Sequence, residues 1–337
     1  MLDDKLKALW TRISPPQKAA FFGCFLSGYL VHLYVFTNII PNSDGLSRIF
    51  DPQQMTVSGR WFLHFASYFN GFTQMPAVIG LFSVLFLALA AALAVSLLGI
   101  RSRALSALSG ALMAAFPAVG YTFLYLFTAS AYCFAIFLAV LSVSLARRGR
   151  WHWLAGCLLL ACSMGTYQAY VTVAIGLSLL VIFRETLDPS ASFSATLRLG
   201  VRLMLFLAAG AVLYYGILLV FLQVKDLELL SYLGMDAASS GYPFSRLPGL
   251  LLDTCKQVAA FFFLPGSANT FTSGWMAVLD LAALALGGGC FLLCMGQEGL
   301  WRARWRPLGG LAMLALLPLG INFGQILSPW SAPTPLM

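Results

Sequence analysis

The 337-residue chain is 60% hydrophobic and only 9% charged, with a mean hydropathy of +0.85. A water-soluble domain carries about 25% charged residues, so this composition excludes a soluble protein and predicts a polytopic membrane protein. The formal net charge is +8. It requires no nucleic-acid partner, because most of the lysines and arginines fall on one side of the predicted membrane spans.

Nine apolar stretches approach the length of about 20 residues that a helix needs to cross a bilayer. They lie at 19–40, 76–100, 105–126, 129–146, 152–165, 169–183, 203–223, 275–295 and 308–327. The fifth and sixth are short and are joined through "MGTYQAY", which fits a tilted hairpin. We therefore expect an all-α polytopic membrane protein of about nine transmembrane helices, with residues 1–337 forming a single membrane domain.

The lysines and arginines indicate the orientation of these spans. With the N-terminus in the cytoplasm, 15 of the 20 fall in cytoplasmic segments and five fall outside. This bias follows the positive-inside rule. The sequence therefore predicts a multi-pass protein with a cytoplasmic N-terminus and with membrane lipids as its surroundings.

Two outer segments, residues 41–75 and 224–274, are long enough to form a site. In the first, "MTVSGRWFLHFASYFNGF" places aromatic residues at steps of three and four, which predicts a helix with an aromatic face lying on the membrane. The second contains "LPGLLLDTCKQVAAFFFLP", where Asp253 and Lys256 would be costly inside a bilayer and indicate an interfacial or re-entrant helix. The spans contain few ionisable groups for coupled transport, so we expect the site on this outer face.

Charges of both signs gather after the first span, in "IIPNSDGLSRIFDPQQMTVSGRWF". Asp44 follows the turn signal "PNSDG", and a carboxylate fixed at a membrane surface suits a general base. Arg48 and Arg60 could bind a phosphate, while Asp51 could be a second carboxylate or a partner of either arginine. Alternatively, Asp44 could cap the turn and an ion pair could tie the loop down. The functional interpretation suits a lipid-linked phosphosugar.

Candidate metal and cofactor sites are sparse. Asp44 with Asp51 could in principle hold a divalent cation, but two carboxylates in a loop are weak evidence. The sequence shows no zinc-ligand spacing, glycine-rich phosphate loop or Ser-His-Asp pattern. The seven cysteines fall almost entirely within spans and are interpreted as packing residues. We expect no cofactor and no metal, with a divalent ion left open.

Two short motifs carry a resemblance to a known family. "NSDGLSRIF…SGRWF" and, much later, "SMGTYQAYVTV" resemble the bacterial O-antigen glucosyltransferases of serotype conversion, the Gtr type-II-like family. An aspartate behind the first span, in a long outer loop with juxtamembrane helices, also resembles the GT-C class of polyprenyl-phosphate-dependent glycosyltransferases. Residues 38–62 and 163–173 carry most of the likeness. Family members are commonly longer, so we expect a short or truncated member, or one lacking part of the acceptor site.

The resemblance implies an activity. The chain would move glucose from undecaprenyl-phosphate glucose to a lipid-linked polysaccharide, the O-antigen of lipopolysaccharide, on the periplasmic face of the bacterial inner membrane. Asp44 matches the position of the GT-C catalytic carboxylate. It would take the proton of the acceptor hydroxyl while that oxygen attacks the anomeric carbon and the lipid phosphate departs.

The resemblance also implies roles for binding residues. Arg60 would stabilise the departing phosphate, with Arg48 or Lys225 in support. Gln168 would hydrogen-bond a sugar hydroxyl beside Tyr167. The partners would thus be a polyprenyl-phosphate-linked sugar donor and a polysaccharide or lipid-linked acceptor.

Other functions stay open from the sequence. A transporter or flippase of a lipid-linked sugar would move its substrate without chemistry, although it would need a polar path that nearly uncharged spans supply poorly. A non-enzymatic assembly subunit is a third alternative. Replacement of Asp44 by asparagine would separate catalysis from transport, because transport would survive it.

Overall fold

The structure, a computed structural model, describes residues 7, 10–40, 44, 54–70, 75–230, 244–265, 273–297 and 299–327. The regular structure of these residues is helical. The α-helices are α1 (Pro15–Thr37), α2 (Leu63–Ala66), α3 (Pro76–Leu98), α4 (Arg103–Ala115), α5 (Pro117–Leu124), α6 (Leu126–Ala146), α7 (Arg150–Thr166), α8 (Val171–Thr186), α9 (Phe193–Val224), α10 (Leu247–Phe263), α11 (Gly274–Gln297), α12 (Trp305–Ile321) and α13 (Phe323–Leu327). An all-α fold is thereby confirmed.

Among the described helices, six are long and apolar enough to cross a membrane: α1, α3, α6, the stretch Gln168–Thr186 that contains α8, α9 and α11. Helices α4 and α5 together could form a seventh span, bent by 41°. The other two predicted spans coincide with α7 and α12, which have 17 residues each. The chain is therefore a polytopic membrane protein with each predicted span present as a helix.

Local signals in the sequence set the ends of the first helices. Ser14 caps α1 in a reciprocal box with Gln17, whose side-chain oxygen accepts the Ser14 backbone N–H at 2.9 Å. Pro15 then occupies the first turn, where its missing N–H costs nothing. Helix α3 likewise starts at a proline, and it ends at Gly99 in the left-handed conformation with φ of 69°. These caps explain why the boundaries follow the sequence closely.

The structure divides into two compact units, Met1–Tyr170 and Val171–Met337. In the first, α1 packs against α3 and α4, α3 packs against α6, and α6 packs against α7. Aromatic side chains fill the centre of this unit, with the rings of Phe36 and Phe123 perpendicular and 4.9 Å apart. The organisation of residues 1–337 as one membrane domain stays a prediction.

Helices α1 and α4 cross closely because their facing residues are small. A Cβ atom at Gly110 would collide with the backbone carbonyl of Ala20, and one at Gly23 would collide with the carbonyl of Ala107. Small residues allow helix backbones to approach in lipid, where van der Waals contact drives packing. This crossing anchors α1, the helix that precedes the charged stretch of the sequence.

The bend between α4 and α5 occurs where proline interrupts the helix. Pro117 has no N–H and forces Phe116 into an extended conformation, with ψ of 134°. His32 of α1 is buried beside this break, with its Nε2 2.9 Å from the Ala114 carbonyl oxygen. His32, the one histidine of α1, therefore forms a hydrogen bond with a backbone carbonyl oxygen at the end of α4, where the bend interrupts the helix.

We expect His32→Leu to destabilise the first unit by about 1–3 kcal/mol, because a buried carbonyl loses its hydrogen-bond donor. His32→Gln keeps a donor on a side chain of similar length and should recover part of the loss. Thermal unfolding in detergent would measure both variants. Equal stability of His32→Leu and wild type would contradict this role.

The stretch around Trp61 differs from the continuous helix that its aromatic spacing predicts. It forms a 3-10 turn at Thr56–Ser58, the short helix α2 and a second 3-10 turn at Ser67–Asn70. Gly59, at φ of 79°, breaks the first turn. Trp61 points inward and is buried. The continuous helix is therefore wrong for these residues, and the placement of their exposed aromatic side chains on the membrane stays a prediction.

Helix α10 lies in the second of the two segments expected on the outer side, where the sequence predicts a helix. Lys256 Nζ lies 3.0 Å from the Asp253 carboxylate, and both side chains are exposed. The pair explains how an apolar helix carries two central charges. Its placement at a membrane interface stays a prediction.

In the second unit, α8 packs against α12 through a buried arginine. The guanidinium of Arg306 donates to the carbonyl oxygens of Thr186, Asp188, Pro189 and Ala191, at 2.6–3.2 Å. The hydroxyl and backbone N–H of Ser190 donate to the carboxylate of Asp188 and hold its pKa below the usual value. One side chain thus fixes the end of α8 and the turn after it.

Candidate active site

Residues 54–62 form a tight loop that folds back on itself. The Met55 carbonyl oxygen accepts the backbone N–H of Ser58 and of Arg60, both at 3.1 Å, and the Ser58 hydroxyl at 2.9 Å. Gly59 permits the reversal because its positive φ is unfavourable for other residues. This geometry turns the Arg60 side chain toward α6.

The loop is attached to the end of α7 at several points. The Phe62 backbone N–H donates to the Gly165 carbonyl oxygen at 2.7 Å, and Gln168 Nε2 donates to the Ser58 carbonyl oxygen at 2.8 Å. The Trp61 ring lies against Gly165, where a Cβ would be 2.6 Å from Cε2 of the indole. The two stretches that carry the sequence resemblance therefore meet in space.

Arg60 lies among aromatic side chains at this junction. Its Nη1 donates to the Tyr132 hydroxyl at 3.2 Å and lies 3.9 Å from the Met55 sulfur. The guanidinium carbon lies 4.7 Å from the centroid of the Tyr167 ring, within the range of a cation–π interaction. Its Nε is buried and has no hydrogen-bond partner among the described residues.

Three tyrosines form the wall on which Arg60 rests. The rings of Tyr132 and Tyr167 are stacked with centroids 5.2 Å apart, and Tyr170 meets both edge-on at 5.9 and 5.5 Å. Tyrosine combines an apolar ring with a polar tip. The cluster therefore presents a cation and flat ring surfaces, a combination that suits a phosphorylated sugar.

Three of the residues expected from the sequence come together here: Arg60, Tyr167 and Gln168. The amide of Gln168 donates through Nε2 to the Ser58 carbonyl oxygen and so helps to hold the 54–62 loop. The sequence alone did not predict this anchoring bond.

The remaining predicted residues take no part in the contacts given above. Asp44 is exposed and lies beyond the end of α1 at Thr37. Lys225 is exposed at the end of α9, in the second unit, with its ammonium 5.6 Å from the Phe221 ring. Arg48 and Asp51 lie outside the described residues.

Tyr132 and Gly165 are the residues of this junction whose roles the sequence does not reveal. Tyr132 lies inside an apolar run, "LFTASAYCFAIFLAV", where a single tyrosine gives no signal of function. Gly165 belongs to the motif "SMGTYQAY", yet only the packing of Trp61 explains why a glycine is needed there.

Metal ligands and cysteines were also candidates for chemistry. Among the residues that the structure describes, no three His, Cys, Asp or Glu side chains form a group that could hold a metal ion. The seven cysteines are free thiols. Cys290 and Cys294 are exposed on α11, so the packing interpretation is wrong for these two.

Comparison with known proteins identifies the family of this chain. Neither the curated proteins nor the solved structures gave a match. The family model described as Glucosyl transferase GtrII matches residues 33–296, a range that includes both the 54–62 loop and the Tyr167–Gln168 stretch. The chain, a polytopic membrane protein, therefore belongs to the Glucosyl transferase GtrII family of glycosyltransferases.

Proposed function

We propose that this glycosyltransferase moves glucose from undecaprenyl-phosphate glucose to a hydroxyl of a lipid-linked polysaccharide, the O-antigen of lipopolysaccharide. The reaction takes place at the periplasmic face of a bacterial inner membrane, in a GT-C type enzyme with a cytoplasmic N-terminus. The observation that carries the proposal is the position of Arg60. Its guanidinium is fixed against the tyrosine cluster, in the outer loop that follows Asp44.

Arg60 suits the phosphate of the donor lipid. A guanidinium presents paired N–H groups that match phosphate oxygens, and it stays charged at any physiological pH. Negative charge develops on that phosphate as the bond to glucose breaks. A cation fixed beforehand in a partly buried site stabilises this charge without having to reorganise.

Asp44 supplies the base in this reaction. Its carboxylate takes the proton of the acceptor hydroxyl, and the oxygen forms a bond to the anomeric carbon of glucose. The bond from that carbon to the phosphate oxygen breaks, and the electron pair leaves with the lipid phosphate. Both groups are protein side chains, so the proposal includes no cofactor.

Other residues contribute binding. Gln168 offers Oε1 to a sugar hydroxyl while Nε2 keeps the loop in place, and Tyr167 supports the guanidinium. Arg48 adds a charge that helps to hold the phosphate, and Asp51 orients the arginines.

We expect Asp44→Asn to abolish glucose transfer, since an amide accepts no proton from the acceptor hydroxyl. Loss of a general base typically lowers the rate by about 10²–10⁴-fold. The measurement is transfer of labelled glucose in inner-membrane vesicles, with insertion checked by protease accessibility. The control is Glu185→Gln, which also replaces a carboxylate by an amide. Glu185 is half-buried near the end of α8.

The control should transfer as wild type does. Normal insertion with lost transfer in Asp44→Asn supports the base. Wild-type transfer by Asp44→Asn would contradict it and leave Asp44 without a chemical role.

A further inference from the structure

We infer that Tyr132 is a positioning residue, which fixes the guanidinium of Arg60 through its hydroxyl so that the arginine meets the lipid phosphate in one orientation. The inference rests on the proposed function and adds to it a residue from a membrane helix. Tyr132 is not among the residues that the sequence predicts for the site.

The backbone that carries Tyr132 is rigid. The residue lies in α6, between Ala131 and Cys133, both of which are fully buried. Helix α6 packs against α3 on one side and against α7 on another. A hydroxyl projecting from such a helix has a more restricted position than one from an outer loop.

Two neighbours restrict two different motions of Arg60. The ring of Tyr167 lies 4.7 Å from the guanidinium carbon and supports the side chain from one side. The Tyr132 hydroxyl, which accepts Nη1 at 3.2 Å, restricts rotation about the end of that side chain. The rings of Tyr132 and Tyr167 are themselves stacked at 5.2 Å, so both restraints belong to one cluster.

The hydrogen bond to Tyr132 also decides which edge of the guanidinium remains for a ligand. Nη1 is occupied, with Met55 as a second and weaker acceptor at 3.9 Å. The Nε–H and one Nη2–H point in the same direction and form the edge that binds two oxygens of one phosphate. Nε has no partner among the described residues, and a phosphate oxygen would satisfy this buried donor.

The Tyr132 hydroxyl, in contrast to its ring, has no packing role in this arrangement. Phenylalanine would keep the stacking on Tyr167 and remove only the acceptor of Nη1. Tyr132→Phe therefore separates positioning of Arg60 from packing of the helix. Removal of this one oxygen atom therefore tests the inference without disturbing the stacked rings.

The experiment compares wild type, Tyr132→Phe, Arg60→Ala and the double variant in membranes supplied with undecaprenyl-phosphate glucose. We expect Tyr132→Phe to lower kcat by about 10–100-fold, the effect of losing one hydrogen bond to a charged group. KM for the donor should change less, because the phosphate gains charge in the transition state. In the Arg60→Ala background, the same change should have no further effect.

A matched control is Tyr34→Phe, which removes a hydroxyl from a ring that is 71% exposed on α1. It should transfer as wild type does. Thermal stability in detergent is measured for every variant. A Tyr132→Phe protein that unfolds well below wild type would overturn the inference, because the hydroxyl would then be structural.

Other results distinguish the positioning role of Tyr132 from the phosphate-binding role of Arg60. Wild-type transfer by Tyr132→Phe, beside an inactive Arg60→Ala, overturns the positioning role and leaves the phosphate role of Arg60 intact. Additive losses in the double variant likewise overturn positioning, since Tyr132 would act independently. Wild-type transfer by Arg60→Ala overturns the phosphate role itself and, with it, the inference.

Discussion

Gly165→Val should abolish glucose transfer while the helices remain inserted in the membrane. A Cβ atom at Gly165 would lie 2.6 Å from Cε2 and 2.8 Å from Cζ2 of Trp61, distances that real contacts do not reach. Trp61 is 6% exposed, so its ring has little room to move. The loop must leave α7, and Arg60, the residue before Trp61, leaves the tyrosine cluster with it.

The free-energy cost of this change falls on the 54–62 loop. Overpacking a tight contact typically costs about 1–3 kcal/mol, and the Phe62 N–H to Gly165 bond at 2.7 Å would be lost as well. The core of α1, α3 and α6 does not include this contact. We therefore expect normal protein levels with transfer reduced at least about 100-fold, as a displaced catalytic group produces.

The measurement is transfer per inserted molecule, with Gly120→Val as the control. Gly120 is a helical glycine in α5, and a Cβ there meets no atom within 4 Å. The control should be active. Full transfer by Gly165→Val would mean that the docked loop is not the active arrangement.

Arg306→Ala should destabilise the second unit more than replacement of any of its exposed arginines by alanine. The guanidinium is 6% exposed and donates to four carbonyl oxygens, those of Thr186, Asp188, Pro189 and Ala191. Hydrogen bonds to a charged group contribute about 1.5–3 kcal/mol each. Because the bonds share one side chain and are not additive, we expect a loss of about 3–5 kcal/mol.

A lower unfolding temperature in detergent, together with reduced protein in the membrane, would support this expectation. Arg306→Lys keeps the charge but has no planar fork to serve four acceptors, so its stability should fall in between. Arg304→Ala, an exposed neighbour, is the matched control and should match wild type. Wild-type stability of Arg306→Ala would show that water or other groups satisfy these carbonyls.

The helices could be predicted from the sequence because apolar runs, caps and breakers are local signals. Each predicted span coincides with a helix, and Ser14, Pro76 and Gly99 mark helix ends by chemistry that the sequence shows. The bend at Pro117 was also visible as a proline, but the expected span 105–126 treated the run as straight. Pro117 breaks its apolar run, whereas Pro318 lies inside α12 without ending that helix.

Residues whose partners are distant in sequence could not be predicted in the same way. Arg306 was counted as a positive-inside charge, whereas it binds backbone carbonyls more than 100 residues earlier in the chain. Tyr132 gives no signal within its apolar run. Neither a hydrogen bond to a backbone carbonyl nor ring stacking produces a periodic pattern in the sequence. Such contacts become visible only in the folded structure.

The candidate site was partly predictable because its motifs are short and polar in an apolar chain. Arg60, Tyr167 and Gln168 were expected at one site, and the structure brings them together. What the sequence did not reveal is how they connect. Gln168 holds the loop through the Ser58 carbonyl oxygen, and Arg60 donates a hydrogen bond to Tyr132 of α6.

The most direct test of the account follows glucose and lipid together in proteoliposomes that contain the purified chain. Undecaprenyl-phosphate glucose, labelled in the sugar, is supplied with a lipid-linked polysaccharide acceptor. The account predicts that labelled glucose appears on the acceptor with an equal amount of undecaprenyl phosphate released. Movement of the intact labelled lipid across the bilayer, without release of undecaprenyl phosphate, would contradict it and establish a flippase.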